Sequence, residues 1–151
     1  MRIFGKAKEN FFTKKEEKKI VSAIQLAELK TSGEIRVHLD EEQVEGIKER
    51  AVYIFDSLGM TKTKERNGIL IYLNPNNKNF LVMGDQGIHA KVGQEFWEKI
   101  SREMKAHFKN KAYTQGVIES VEAIGIELKK HYPYDAKTDT NELDDEVSYT
   151  V

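Results

Sequence analysis

The sequence predicts an α/β fold in which a small mixed β-sheet carries helices on both faces. Two short apolar runs, at 69–73 and 80–83, flank the turn formers Asn-Pro-Asn-Asn at 74–77, a pattern typical of a β-hairpin. Residues 34–39 alternate polar and apolar side chains, which indicates a third strand. A helical pattern separates this strand from the hairpin, and strand–helix–strand units of this kind form right-handed parallel crossovers.

Four helices are predicted around the strands, each from apolar residues spaced three and four apart. The first helix begins with a capping box, in which Thr13 and Glu16 satisfy each other's backbone amides. The second ends at Gly59, since glycine commonly terminates helices. Asp40 and Glu41 precede the second helix, and we expect them to cap its N-terminus. The predicted helices span residues 13–30, 42–58, 90–109 and 113–131.

Composition and charge describe one ordinary globular domain. The chain has 151 residues, 39% of them hydrophobic, and a net charge of −1, so nothing global indicates nucleic-acid binding. It has no cysteine, which fits a reducing compartment. Neither a signal-peptide core nor a run of about 20 apolar residues is present, so no membrane span is expected. We therefore expect a cytoplasmic monomer with one domain over 1–134 and an acidic C-terminal tail over 135–151.

Polar residues gather at one predicted end of the sheet. Parallel strands begin at the same end, so the segments 32–34 and 66–68 meet there. The antiparallel third strand ends at the same place and adds residues 84–87, with His89 just beyond. Carboxylate, amide and backbone carbonyl oxygens are the ligands that Ca²⁺ and Mg²⁺ prefer. This end of the sheet is therefore the candidate site.

Each candidate residue also has a purely structural interpretation. Asn67 and Asp85 adjoin glycines and are typical turn caps. Glu34 is consistent with a surface ion pair to a neighbouring arginine, and His89 with a residue that only covers the first turn of a helix. Motifs of better-defined enzymes are absent: there is no Gly-x-Ser-x-Gly, His-Glu-x-x-His or P-loop, and no cysteine nucleophile.

Several motifs together resemble one known family. They are Thr-Ser-Gly-Glu-Ile at 31–35, Asn-Gly-Ile-Leu-Ile at 67–71, Gly-x-x-Gly at 84–87 and Gly-Val-Ile-Glu-Ser-Val-Glu-Ala-Ile-Gly at 116–125. Over about residues 10–134 the chain resembles the TPM domain, a family named for a thylakoid lumen protein, a photosystem II repair protein and a nematode receptor modulator. The resemblance implies a three-layer αβα sandwich, binding of divalent cations and a modest phosphatase activity on phosphate monoesters.

Two functions are compatible with this resemblance. As a metal-dependent phosphatase, the domain would hold Ca²⁺ or Mg²⁺ with Glu34, Asn67 and Asp85, and Asp85 would serve catalysis as well. Arg66 would clamp the phosphate, His89 would protonate the leaving group, and the amides of the third helix would stabilise the oxyanion. Such an enzyme would act on a phosphate-containing small molecule or a phosphoprotein. The alternative is a non-enzymatic calcium- or magnesium-binding accessory module that docks another protein. The side chain of Asp85 is expected to be exposed.

Overall fold

The computed structural model describes residues 11–134 and 145–150, and the remaining residues lie outside the described part of the chain. Within that part, five helices and four strands form the predicted three-layer αβα sandwich, which confirms the fold class. The elements in chain order are α1 (Lys14–Glu28), β1 (Glu34–Leu39), α2 (Ile47–Ser57), β2 (Gly68–Asn74), β3 (Asn79–Gly84), α3 (Gln86–Val92), α4 (Gln94–Lys109), α5 (Tyr113–His131) and β4 (Ser148–Tyr149).

The sheet is mixed, with strand order β3-β2-β1-β4. Strand β1 runs parallel to β2 and to β4, and β3 is antiparallel to β2. Glu34 lies opposite Gly68, and Gly84 lies opposite Ile69, so the starts of β1 and β2 meet the exit of β3. We call this the amino end of the sheet. The opposite edge, where β1 and β2 finish, is the carboxyl end.

Two apolar cores lie on the two faces of the sheet. Side chains of β1 and β2 at odd-numbered positions pack under α1, α4 and α5, and those at even positions of β2 pack against α2. All six residues of β1 are buried, including the polar ones on the α2 face. The alternation of polar and apolar residues in β1 therefore marks two buried faces, not one buried face and one solvent-exposed face.

Strand β4 was not predicted from the sequence. It consists of two residues of the acidic stretch that the sequence analysis placed beyond the domain, and it pairs with His38 and Leu39 of β1. Val147, just before it, is 4% exposed and belongs to the larger core. Two residues are too few to produce a periodic pattern, and the pairing depends on a partner about 110 positions away. Residues 135–144 and 151 of the predicted tail lie outside the described residues.

Two helix boundaries also differ from prediction. The predicted third helix is two helices, α3 and α4, because Gly93 adopts φ +78° between them, a left-handed conformation that glycine accepts without strain. Helix α2 begins at Ile47, and its N-cap is Gly46. The prediction that Asp40 and Glu41 cap this helix is therefore wrong. By contrast, the capping box of α1 is present, with Glu16 N donating to Thr13 Oγ1 over 3.0 Å.

Candidate functional site

Backbone hydrogen bonds join three chain segments at the amino end of the sheet. The amide of Glu34 donates to the Asn67 carbonyl over 3.4 Å, and the amide of Asp85 donates to the Gly68 carbonyl over 2.9 Å. The amide of Gly87 donates to the carbonyl of Arg66 over 2.9 Å. The structure therefore brings together the segments that strand polarity placed there.

Gly87 permits the closest of these approaches. A Cβ atom at this position would lie 2.3 Å from the carbonyl oxygen of Glu65 and 2.7 Å from that of Arg66, so any side chain would force the two segments apart. Arg66 itself has φ 51°, a left-handed conformation. The loop before β2 is thus pressed against the start of α3 in one defined arrangement.

Arg66 and Asp85 form a bidentate ion pair. Arg66 Nε lies 2.6 Å from Asp85 Oδ2, and Nη2 lies 2.9 Å from Oδ1. The Asp85 side chain is 6% exposed and the Arg66 side chain 37%, so the expectation that Asp85 is exposed is wrong. The guanidinium covers the carboxylate, and one face of Arg66 remains open to solvent.

The amides at the start of α3 already have acceptors. Gln86 N donates to Asp85 Oδ1 over 2.8 Å, and His89 N donates to the Asp85 carbonyl. The amides of Gly87 and Ile88 both donate to the Arg66 carbonyl. The predicted oxyanion site at this helix terminus is therefore wrong, because its amides are satisfied by the chain itself.

Asn67 is the unusual residue at the amino end. It is 1% exposed, and its backbone amide donates to Thr63 Oγ1 over 3.2 Å. Its side chain differs: neither Oδ1 nor Nδ2 has a hydrogen-bond partner within the described chain. Buried polar atoms are almost always hydrogen-bonded, so such an exception calls for an explanation, of which a bound ion is one. A desolvated amide oxygen also suits a hard cation.

Glu34 is the third candidate ligand at this end. It is 2% exposed and pairs with Gly68, on the sheet face that carries Leu70 and Tyr72. Asn67 precedes Gly68 by one residue, so strand alternation alone does not point these two side chains at one another. Within the described residues there is no group of three or more His, Cys, Asp or Glu side chains that fits a metal ion. The ligand set fits a cation only if the amide oxygen of Asn67 takes part.

His89 is exposed, and a tryptophan side chain from the next helix orients its ring. Trp97 Nε1 donates to His89 Nδ1 over 2.9 Å. Because Nδ1 accepts this hydrogen bond, the neutral imidazole carries its proton on Nε2. Trp97 lies on α4, beyond the break at Gly93, and no motif in the sequence links it to His89.

A second buried polar cluster occupies the carboxyl end of the sheet. Arg50 Nε donates to Asp40 Oδ2 over 2.7 Å, and the Tyr72 hydroxyl donates to the same oxygen over 2.7 Å. His38 Nδ1 lies 2.8 Å from Ser148 Oγ, and Nε2 lies 2.6 Å from Thr150 Oγ1. Burial lowers the pKa of His38 to about 4. The sequence signal for this cluster was the alternation of polar residues along β1.

Together, these features define a small three-layer αβα domain with a hydrogen-bonded polar cluster at the carboxyl end of its sheet and, at the amino end, a buried Asn67 side chain without partners among the described residues. None of the helices in residues 11–134 and 145–150 combines the length and apolar character that a transmembrane segment needs. The family model of the TPM domain matches residues 6–126. The chain therefore belongs to the TPM domain family.

The solved structures similar to this chain include an NMR structure and a solution structure of a single domain. The NMR structure of the BA42 protein from the psychrophilic bacterium Bizionia argentinensis is 39% identical, with a TM-score of 0.87, and the match covers 94% of this chain and 97% of that one. The solution structure of the N-terminal domain of a P. gingivalis protein is 16% identical, with a TM-score of 0.66 and 83% of each chain covered, and it supports the fold alone. No match was found among curated proteins.

Proposed function

We propose that this TPM domain binds a divalent cation, Ca²⁺ or Mg²⁺, at the amino end of its sheet and hydrolyses phosphate monoesters there. The observation that carries the proposal is the buried side chain of Asn67, whose oxygen and nitrogen both lack hydrogen-bond partners in the described chain. A buried polar group left in this state costs about 1–3 kcal/mol. A cation that accepts Asn67 Oδ1 as a ligand relieves part of that cost.

The proposed ligands are the amide oxygen of Asn67 and the carboxylates of Asp85 and Glu34. All three belong to segments that are hydrogen-bonded to one another at the amino end. Hard cations prefer oxygen ligands of these kinds, and water completes their coordination. Arg66 pairs with both carboxylate oxygens of Asp85, so a cation and the guanidinium would compete for the same two oxygens.

This competition gives Arg66 its role. Its side chain is 37% exposed, so its guanidinium is accessible to a ligand even while it is paired. Arg66 would bind two oxygens of a phosphate group in the bidentate geometry that suits arginine, and a cation that took Asp85 as a ligand would free the guanidinium for this contact.

His89 stabilises the leaving group. With Nδ1 accepting the hydrogen bond from Trp97, the neutral imidazole directs Nε2–H away from the indole and donates a hydrogen bond to the leaving-group oxygen, which takes its proton from water. Trp97 is therefore a positioning residue. When bound, the cation supplies charge stabilisation of the phosphate oxygens and activation of a water molecule.

The test combines a phosphatase assay with a cation-binding measurement on three variants. Arg66→Gln should bind Ca²⁺ about five-fold more tightly, because the guanidinium no longer competes for Asp85. The same variant should turn over p-nitrophenyl phosphate about 100-fold more slowly. His89→Ala should lose a similar factor in turnover at unchanged cation affinity. Lys48→Gln, an exposed charge on α2, is the control and should change neither quantity.

Two results would contradict the enzyme proposal. Turnover that survives a chelator would remove the cation from the mechanism. Cation binding without any turnover would favour the accessory-module alternative, in which the filled site orders the three segments for a partner protein.

A further inference from the structure

A groove of about 740 Å³ opens on the far side of the molecule from the cation site, beside the carboxyl end of β2. It lies between the β2–β3 turn, α4 and the start of α5, and we call it the basic groove. Five of its lining residues are cations: Lys78, Arg102, Lys105, Lys109 and Lys111. Its volume is in the range of pockets that hold small organic ligands, and the carboxyl edge of parallel strands is where open α/β sheets bind them.

The cationic side chains of the groove have no acidic side chains among its described lining residues to neutralise them. None of the lining residues that the structure describes is acidic, although the whole chain has a net charge of −1. No ion pair involves any of the five cations within residues 11–134 and 145–150. An unneutralised cluster of this size attracts anions and holds them most strongly where several cations converge.

The floor of the groove is aromatic. Its four rings are each half-buried, so each keeps part of its surface accessible to a ligand. They form one continuous cluster, with ring centroids 5.1 Å apart for Phe80 and Phe108, 5.2 Å for Phe108 and Tyr113, and 5.0 Å for Tyr113 and Phe11. A flat unsaturated ring can stack on such a surface, which a purely inorganic anion cannot use.

Two of the lysines occupy backbone positions that favour glycine. Lys78 has φ 52° and Lys111 has φ 59°, at opposite rims of the groove. Residues with a side chain seldom adopt these angles, and glycine adopts them freely. Replacing either lysine with glycine therefore removes a charge from the rim without straining the fold.

We propose that the basic groove binds a nucleoside phosphate, with the base on the aromatic floor and the phosphates among the rim cations. Only a ligand that joins a flat ring to a multiply charged anion uses both parts of the groove. The site is separate from the cation site at the amino end and does not depend on the function proposed there.

Amide-shift titrations of the full chain with ADP in EDTA test this proposal, because EDTA removes any contribution from the cation site. We expect the shifts to cluster at the lining residues. Adenosine, which lacks the charge, and tripolyphosphate, which lacks the ring, should each bind at least about ten-fold more weakly than ADP. A short single-stranded DNA should bind no more tightly per nucleotide than ADP.

Variants separate the two halves of the groove. Lys105→Gln should weaken both ADP and tripolyphosphate about three- to five-fold, whereas Phe80→Leu should weaken ADP and leave tripolyphosphate unchanged. Lys111→Gly should weaken ADP while the melting temperature stays the same or rises. Lys99→Gln, on the same helix but outside the groove lining, is the matched control.

Three outcomes would overturn the proposal. They are the absence of shifts at the lining residues at millimolar ADP, tripolyphosphate binding as tightly as ADP, and an equal effect of Lys99→Gln and Lys105→Gln. Preferential binding of the single-stranded DNA would assign the groove to nucleic acid instead.

Discussion

The two ends of the sheet bury polar side chains in opposite ways. At the carboxyl end, Asp40 is 0% exposed and accepts hydrogen bonds from both Nε and Nη2 of Arg50, from the Tyr72 hydroxyl and from the Glu42 amide. At the amino end, Asn67 is 1% exposed, and its side chain accepts and donates nothing within the described chain. The two residues are buried to nearly the same extent but differ in their hydrogen-bond partners.

This difference separates a structural cluster from the site that we propose binds a cation. Burial by itself would raise the pKa of Asp40, but the hydrogen bonds from Arg50, Tyr72 and the Glu42 amide outweigh it and hold the pKa below its ordinary value. Because so many donors already contact the Asp40 carboxylate, it has little remaining capacity to bind a ligand. The Asn67 side chain bears the desolvation cost of burial without hydrogen bonds to offset it, and a ligand can supply those interactions.

The largest predicted effect is the loss of Asp40. Asp40→Ala should lower the free energy of unfolding by about 4 kcal/mol, because it leaves Arg50 and the Tyr72 hydroxyl without their shared acceptor. Asn67→Ala should change it by less than about 1 kcal/mol, because relief of the roughly 1–3 kcal/mol cost of burying the unsatisfied amide offsets the packing lost with the side chain. Urea unfolding of the two variants, without added cations, measures both. Similar losses in the two variants would show that the ends of the sheet do not differ in this way.

The carboxyl end should also weaken in acid. The pKa of His38 is about 4 in the folded protein and 6.5 when unperturbed, so the unfolded chain binds more protons between these values. The stability that neutral His38 contributes is therefore complete above pH 6.5 and is lost as the pH falls to 4, by about 3 kcal/mol. The difference in stability between wild type and His38→Gln should shrink over this range. A constant difference would contradict the assignment.

The amino end should respond to pH with the opposite sign. Burial, followed by a hydrogen bond with Asp145, raises the pKa of Glu28 to about 10, and its Oε2 accepts from the Ile35 amide over 2.8 Å. Protonated Glu28 is favoured in the folded state, so its contribution is complete below pH 4.5 and is lost as the pH rises towards 10. Between pH 6 and 9, the free energy of unfolding of Glu28→Gln should therefore rise relative to that of wild type by at least about 1 kcal/mol. Parallel pH profiles of stability for the two proteins would contradict the raised pKa of Glu28.

Most of the fold was predictable because its signals are local. The turn formers at 74–77, the capping box at Thr13 and the stripe of α5 each lie within one element, and α5 has the predicted bounds, Tyr113–His131. Strand β4 and the break at Gly93 were missed for different reasons. The first depends on a distant partner, and the second on a single backbone angle inside an otherwise continuous helical pattern.

The site was predictable at the level of segments but not of atoms. Strand polarity alone brings 32–34, 66–68 and 84–87 together, and the structure joins them by backbone hydrogen bonds. Which side chains find partners depends on local geometry, such as the left-handed backbone at Arg66, that no sequence pattern marks. The ion pair between Arg66 and Asp85, and the missing partners of Asn67, therefore required the structure.

The most direct test of the cation site is an amide-shift titration of the full chain with Ca²⁺ and with Mg²⁺, in wild type and in Asn67→Ala. We expect saturable shifts confined to residues 32–34, 66–67 and 84–87 in wild type, and their loss in the variant, whose stability is otherwise retained. Shifts that appear only at residues 139–146, or shifts at the amino end that persist in Asn67→Ala, would contradict it.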